Sequence, residues 1–167
     1  MKVPLRLEIL RRLTAALEDI TVANGYQHDL TGRVYRGRSI FGESDPLPVI
    51  SILEVPVQPD PNASATDGAT NDGAWELVIQ GFVEDDKDNP TDPAHFLMAD
   101  VKMRLGEICK QNQDFNILGP WDGASPVTDL RVGQGVVRPP DEVSYTAYFW
   151  LTATLQVVDD LTAPYYM

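Results

Sequence analysis

Apolar and polar residues alternate strictly along residues 143–157. Every second residue from Val143 is apolar or aromatic, and the intervening positions include Tyr148 and Trp150 among Ser, Thr and Gln. A period of two predicts a β-strand, because successive side chains on a strand point to opposite faces of the sheet. At ~3.3 Å per residue the strand would extend ~50 Å, more than twice the usual length. The pattern therefore predicts a long strand that reaches beyond its own domain to join others.

Two stretches carry the apolar spacing of amphipathic helices, residues 5–21 and 94–111. Pro4 suits the first turn of the first helix. Thr91 or Asp92 is predicted to cap the second helix, with Pro93 in its first turn. We expect both helices to pack on the sheet through their apolar faces.

Four shorter stretches are also predicted to be strands: a short one around Val34 and Tyr35, and residues 48–55, 75–84 and 127–132. Residues 48–55 carry apolar side chains on both faces, which is typical of a covered, central strand. Gly81 is a candidate β-bulge. Together these elements predict one α/β (α+β) domain over residues 1–167, with two main helices packed on a mixed or mainly antiparallel sheet of about five strands.

Two segments lie outside this framework. Residues 57–74 are rich in Pro, Asp, Asn, Gly, Ser and Thr and contain almost nothing to bury, which predicts a mobile loop between two strands. Residues 161–167 form a C-terminal tail that ends in Tyr165, Tyr166 and Met167. We expect this tail either to fray or to dock into a neighbouring subunit.

Charge and cysteine content narrow the class of protein. The chain has 25 acidic and 13 basic residues, a net charge of -12, which argues against a sequence-reading DNA-binding protein. The excess of acid either keeps the chain soluble or forms a surface past which DNA slides without sticking. A single cysteine, Cys109, leaves no partner for an intrachain disulfide and favours a reducing compartment. With no apolar run long enough for a membrane span and no signal peptide, we expect synthesis in the cytoplasm.

The sequence contains no recognisable catalytic or metal-binding constellation. Its two histidines, His28 and His95, are expected to be surface or capping residues, and Cys109 on a helix face is expected to be a core residue. Residues 85–92, DDKDNPTD, resemble a calcium loop but have neither its central glycine nor its final glutamate in frame. We therefore predict no catalytic, cofactor or metal residues. A small intracellular enzyme remains a less favoured alternative.

The order of elements resembles a known family. The opening helix with Leu13-Thr14-Ala15-Ala16-Leu17-Glu18-Asp19-Ile20 is followed by Gly32-Arg33-Val34-Tyr35-Arg36-Gly37-Arg38 and then Leu47-Pro48-Val49-Ile50-Ser51-Ile52. In this pattern the chain resembles the tail terminator, or tail completion, proteins of long-tailed bacteriophages. The resemblance covers most of the chain as a pattern of elements, through motifs that carry no chemistry of their own.

The resemblance implies a function in the virion. Tail terminators form a ring, typically a hexamer, that caps the finished tail tube, ends its polymerisation and joins the tail to the head connector. The implied partners are other copies of the chain, the tail tube protein and the connector proteins, while DNA passes through the lumen without sequence-specific binding. The implied location is the tail or neck of the virion, after assembly in the host cytoplasm. Another neck or tail component, such as a head–tail joining protein or a tail tube subunit, is the alternative.

Several residues are candidates for contact with a partner. Tyr148 and Trp150 are aromatic residues on the otherwise polar face of the long strand, where they either contact another subunit or lie under a second helix. Arg33, Arg36 and Arg38 either neutralise nearby acids or contact an acidic partner. The remaining candidates at a partner interface are Phe41, Tyr165 and Tyr166.

Overall fold

The computed structural model describes residues 1–55, 64–141 and 146–167. Within these ranges the helices are α1 (Leu5–Glu18) and α2 (Asp92–Lys110). The strands are β1 (Val3–Pro4), β2 (Val34–Arg36), β3 (Val49–Glu54), β4 (Ser64–Asp67), β5 (Thr70–Glu84), β6 (Val127–Val132), β7 (Val136–Arg138), β8 (Thr146–Asp160) and β9 (Tyr165–Tyr166). Of these described helices, neither is long and apolar enough to cross a membrane.

The main sheet is larger than predicted. Its strands run in the order β2-β3-β5-β8-β6, and β4 and β7 pair with the long strands β5 and β8. The β2–β3 pair is parallel and the other pairs are antiparallel. The mixed α+β class with two helices is thus confirmed, but the sheet has seven strands where five were expected. The two that were missed, β4 and β7, are four and three residues long, and none of their described side chains is buried, so neither divides into a buried and an exposed face.

Strands β5 and β8 form the centre of the sheet. Each is fifteen residues long, and they pair without interruption from Thr70 opposite Asp160 to Glu84 opposite Thr146. The predicted long strand is confirmed from Thr146 onward and continues three residues past Val157, while residues 143–145 lie outside the described residues. At ~3.3 Å per residue this pair extends ~50 Å. The ribbon formed by these two strands continues past Val157, the last buried residue of β8, through three residues that are partly or fully exposed.

Part of the segment predicted as a loop is strand. Within residues 57–74, β4 and the first five residues of β5 form a hairpin that turns at Gly68, where φ is +60°. Residues 57–63 lie outside the described part of the chain. Described residues of this hairpin are largely exposed on both faces, so their sequence consists of small and polar residues and lacks the alternation that marks a half-buried strand.

Both helices pack on the same face of the sheet. Helix α1 ends three residues earlier than predicted and buries Ile9, Leu13 and Leu17. Helix α2 begins close to the predicted start, with Thr91 at its N-cap position and Pro93 in its first turn. Each fully buried leucine or isoleucine contributes about 1.5–3 kcal/mol. Helix α2 lies on β5, β6 and β8, and α1 lies beside it on β2. The apolar side of β8 in this shared core consists of Ala147, Phe149, Leu151, Ala153, Leu155 and Val157.

Gly81 makes room for a core aromatic ring instead of forming a bulge. The pairing of β5 is continuous through Gly81 on both sides, with Ile50 of β3 and Phe149 of β8 opposite it. A Cβ atom on Gly81 would lie 2.0 Å from Cε1 of Phe149, whose side chain is fully buried. The register shift in this sheet lies in β6 instead, between Val127 and Asp129. Close packing, not an inserted residue, accounts for this glycine.

Candidate functional site: an aromatic surface on the open face of the sheet

Five aromatic side chains form a continuous row on the face of the sheet opposite the helices. Between ring centroids, Phe41 lies 5.7 Å from Tyr35 and 5.2 Å from Phe82. Tyr148 lies 6.0 Å from Phe82 and 5.7 Å from Trp150. These separations are typical of favourable aromatic pairs. The row, called the aromatic surface below, runs across the sheet from β2 to β8 and comprises Tyr35, Phe41, Phe82, Tyr148 and Trp150.

Strand register brings these residues together. Phe82 and Tyr148 lie directly opposite each other on β5 and β8, so their side chains share one face. Gly81 and Phe149, one position earlier and one later, point to the helix-covered face. Phe41 comes from the loop between β2 and β3, which folds back over this face. The candidate residues Phe41, Tyr148 and Trp150, far apart in sequence, thus belong to one surface.

The β7 end of the aromatic surface is the exposed end. Trp150 is 40% exposed, and Val136, which pairs with it on β7, is 48% exposed. Tyr35, Phe41, Phe82 and Tyr148 are only partly exposed. In the structure Trp150 is not covered by either described helix, which answers the question left open by the sequence. Large apolar residues exposed side by side are typical of an interaction site.

An arginine flanks each end of the aromatic surface. The guanidinium carbon of Arg38 lies 4.8 Å from the ring centroid of Tyr35 and 4.5 Å from that of Phe41. At the other end, Arg138 lies 6.0 Å from the ring centroid of Trp150. Cations at such distances are attracted to the negative faces of aromatic rings. Of the three arginines proposed from sequence, Arg38 is the one that belongs to this site.

Asp45 holds Arg38 and Phe41 in place. The Arg38 guanidinium donates to both carboxylate oxygens of Asp45 at 2.8 Å, and the backbone N–H of Gly42 donates to Oδ2 at 2.7 Å. Ser51 Oγ on β3 donates to the carbonyl oxygen of Arg38. The Gly42 N–H and the Arg38 charge both favour the ionised carboxylate, so the pKa of Asp45 lies below its ordinary value. These hydrogen bonds of Asp45 with Arg38 and Gly42, called the Arg38–Asp45 clamp below, order the loop that places Phe41 on Phe82.

Replacing Asp45 with alanine is expected to release Phe41 from the aromatic surface. Without the carboxylate, the Gly42 N–H and the Arg38 guanidinium lose their acceptor, so Gly42 amide exchange should become faster and the Phe41–Phe82 NMR contact should weaken. In the unchanged protein the same loss is expected at acid pH. The pKa of Asp45 is lowered in the folded state. The stabilisation of the loop by the Asp45 carboxylate is therefore complete above about pH 4 and is lost as pH falls through the folded-state pKa.

Asp86→Ala provides the matched control for Asp45→Ala. Asp86 Oδ1 likewise accepts backbone N–H groups, from Asp88 and Asn89, in an exposed turn of another loop. The control should therefore leave Gly42 exchange unchanged. Equal Gly42 protection in the Asp45→Ala variant and the unchanged protein would contradict the clamp.

The other two arginines have structural partners elsewhere. Arg33 donates to the carbonyl oxygen of Leu47 at 2.8 Å, and Arg36 donates to Thr14 Oγ1 on α1 at 2.9 Å. Neither of these bonds joins the arginine to an acidic group. Of the three arginines, only Arg38 fits the hypothesis that they neutralise nearby acids, because it pairs with Asp45. Joint replacement of all three arginines would therefore remove contacts that hold the fold as well as any contact with a partner.

The C-terminal tyrosines lie far from the aromatic surface. Tyr165 and Tyr166 pair with the amino-terminal strand β1 of the same chain. The Tyr166 ring meets Trp121 edge-on at 5.4 Å, and its hydroxyl accepts a 3.1 Å hydrogen bond from Arg12. The tail is thus docked on its own chain, which neither alternative considered from the sequence anticipated. Tyr165 remains half exposed.

His28 has a structural partner that sequence reasoning missed. Its Nδ1 lies 2.7 Å from Oδ2 of Asp100, a buried residue of α2. The same oxygen accepts the backbone N–H groups of Gln27 and His28 at 3.0 Å. The pair therefore fastens the segment before β2 to α2, and because its members are 72 positions apart in sequence, no local sequence signal pointed to it. Among the described residues there is no group of three or more His, Cys, Asp or Glu side chains suited to a metal ion.

Cys109 is predicted to react slowly with thiol reagents. Burial raises the pKa of its thiol, the nearby charge of Asp129 raises it further, and Sγ donates to the carbonyl oxygen of Leu130 at 3.3 Å. Only the thiolate is nucleophilic, so at pH 8 we expect labelling on the order of tenfold or more slower than at an exposed thiol. An Ile40→Cys variant in a Cys109→Ser background supplies that exposed comparison, since Ile40 is 81% exposed. Equal labelling rates would contradict the prediction.

Comparison with known proteins gives no family assignment. No protein-family model matches the chain, and no curated protein matches it. The aromatic surface, the extended β5–β8 pair and the sequence pattern are therefore the basis for inferring its function.

Proposed function

We propose that this chain is a structural subunit of a bacteriophage tail, in which copies form a ring that caps the tail tube, ends its polymerisation and joins the tail to the head connector. The observation that supports this proposal best is the exposed aromatic surface on the open face of the sheet. Trp150, 40% exposed beside Val136, gives the subunit an apolar contact area of the kind found at interfaces between proteins.

The shape of the sheet supports a role in assembly. Strands β5 and β8 extend ~50 Å, well beyond the length of an ordinary strand. Strand β4 pairs with the Thr70 end of β5 and widens the ribbon there. A projecting ribbon offers contact area to adjacent subunits or to another layer of the tail. The order of elements that resembles the tail terminators favours a ring over other assemblies.

The acidic character of the chain agrees with the proposed position on the DNA path. A net charge of -12 per subunit repels the phosphate backbone, so a ring of such subunits lets DNA pass without binding it. No cofactor or catalytic group takes part in this function.

Electron microscopy of the purified chain mixed with tail tubes tests the proposal. We expect rings at tube ends and tubes of constant length once the chain is added during polymerisation. Rings need not form without tubes, because some ring subunits assemble only on their partner. Extended tubes formed by the chain alone would identify a tail tube subunit instead, and rings bound only to heads would identify a head–tail joining protein.

A further inference from the structure

We propose that successive copies join head to tail, with the loop around Ile40 of one copy seated on the Trp150 end of the aromatic surface of the next. This inference rests on the proposed ring and specifies the contact that builds it. It starts from two exposed apolar sites, one in the loop that carries Phe41 and one at the Trp150 end of the aromatic surface. Ile40, next to Phe41 in that loop, is 81% exposed, while Trp150 is 40% exposed and Val136 is 48% exposed.

One copy cannot join its own two ends. Phe41, next to Ile40, packs on Phe82, and the rings of Phe82 and Tyr148 separate it from Trp150. The Arg38–Asp45 clamp holds the Ile40 loop at its own end of the surface. The loop therefore projects an apolar side chain that finds no cover within its subunit, while Trp150 remains exposed two rings away.

Charge complementarity identifies a second copy as the occupant. Beside Ile40 the loop carries the exposed acid Glu43, and beside Trp150 the surface carries the exposed base Arg138. A loop of the next copy that places Ile40 on Trp150 and Val136 also brings Glu43 toward Arg138. In a two-fold contact centred on Trp150, by contrast, two Arg138 cations would approach each other.

Head-to-tail contact has a geometric consequence. The surfaces on the two sides of the contact differ, so an open assembly keeps one unused loop on its first or last copy and one unused aromatic end on the copy at the opposite terminus until it closes. Repetition of such a contact gives a ring where the rotation between copies completes a circle and an open filament where it does not, and the proposed cap requires the ring. A contact built from the same patch on both copies would stop at a dimer.

Crosslinking between single-cysteine variants tests this arrangement. In a Cys109→Ser background, Ile40→Cys and Val136→Cys are made separately, mixed on purified tail tubes and treated with a short bismaleimide. We expect a crosslinked pair in the mixture and none with either variant alone. A Val136→Cys product without the other variant would overturn the proposal in favour of a two-fold contact.

Two further outcomes separate this inference from the proposed function. If the Cys109→Ser parent forms rings on tubes but the mixture gives no crosslink, the head-to-tail contact is wrong and the ring proposal stands. If the parent forms no rings on tubes and the mixture gives no crosslink, both are overturned.

A charge exchange supplies an independent measurement that does not depend on thiol geometry. Arg138→Glu and Glu43→Arg are each expected to weaken assembly about fivefold by placing like charges together at the contact. The double variant restores opposite charges and should regain most of that loss. A double variant that is weaker than either single variant would contradict the pairing of Glu43 with Arg138.

Discussion

Replacement of Trp150 by alanine is expected to abolish the proposed ring on tail tubes at concentrations where the unchanged protein forms it. Tryptophan anchors at protein interfaces commonly contribute about 2 kcal/mol or more, which corresponds to a loss of about thirtyfold in affinity. The side chain is 40% exposed in the subunit, so its removal should lower the free energy of unfolding by only about 1–2 kcal/mol. Electron microscopy of tube ends measures assembly, and urea denaturation measures folding.

Phe96→Ala serves as the matched control for Trp150→Ala. Phe96 lies on α2, on the other side of the sheet, and is 53% exposed. Its removal also takes away an exposed aromatic ring but leaves the aromatic surface intact, so rings should form as in the unchanged protein. Normal rings in the Trp150→Ala variant would rule out the aromatic surface as the contact between subunits.

Replacement of Gly81 by alanine is expected to destabilise the subunit strongly. The new methyl group would occupy space held by Phe149, 2.0 Å from Cε1, and this ring is buried between the sheet and the helices. Overpacking of a close-packed core costs about 1–3 kcal/mol and occasionally more. The free energy of unfolding from urea denaturation should fall by at least that amount. An unchanged denaturation midpoint would show that the Phe149 ring moves aside at no cost.

Two further variants test whether the effect of Gly81→Ala comes from its contact with Phe149: a glycine-to-alanine control at Gly106 and a double variant in which Phe149 is also made smaller. Gly106 lies within α2, where an added Cβ would meet no atom within 4 Å, so alanine there should stabilise the helix by about 0.5–1 kcal/mol. A Gly81→Ala, Phe149→Leu double variant replaces the ring with a smaller side chain. We expect it to recover part of the stability lost in Gly81→Ala, because the two residues share one space.

The local sequence pattern predicted those helices and strands that have one buried and one exposed face. The alternation through Phe149 and Leu151 predicted β8, and the spacing of Leu97, Val101 and Leu105 predicted α2, because a half-buried strand or helix must repeat its apolar residues with its own geometric period. The short strand β7 escaped detection, since none of its three residues is buried and the pattern therefore shows no division between two faces. Strand β4 escaped because the described residues of its hairpin are exposed on both faces.

The candidate site was predictable only in fragments. Tyr148 and Trp150 stood out as aromatic residues at polar positions of a strand. Their continuation through Phe82 to Phe41 depends on the register between β5 and β8 and on a loop held by Arg38 and Asp45. Such contacts join residues tens of positions apart, so no local pattern encodes them.

The sequence by itself determined the two helices and the α+β class, the two-faced character of the long strand and the acidic charge of the chain. Tertiary structure decided which face the helices cover, and therefore that Phe149 is buried while Trp150 is exposed. It also decided that Tyr166 docks on its own subunit through Arg12. The physical reason is that periodicity records how an element is divided between two environments, whereas the neighbours that supply those environments are set by packing between distant parts of the chain.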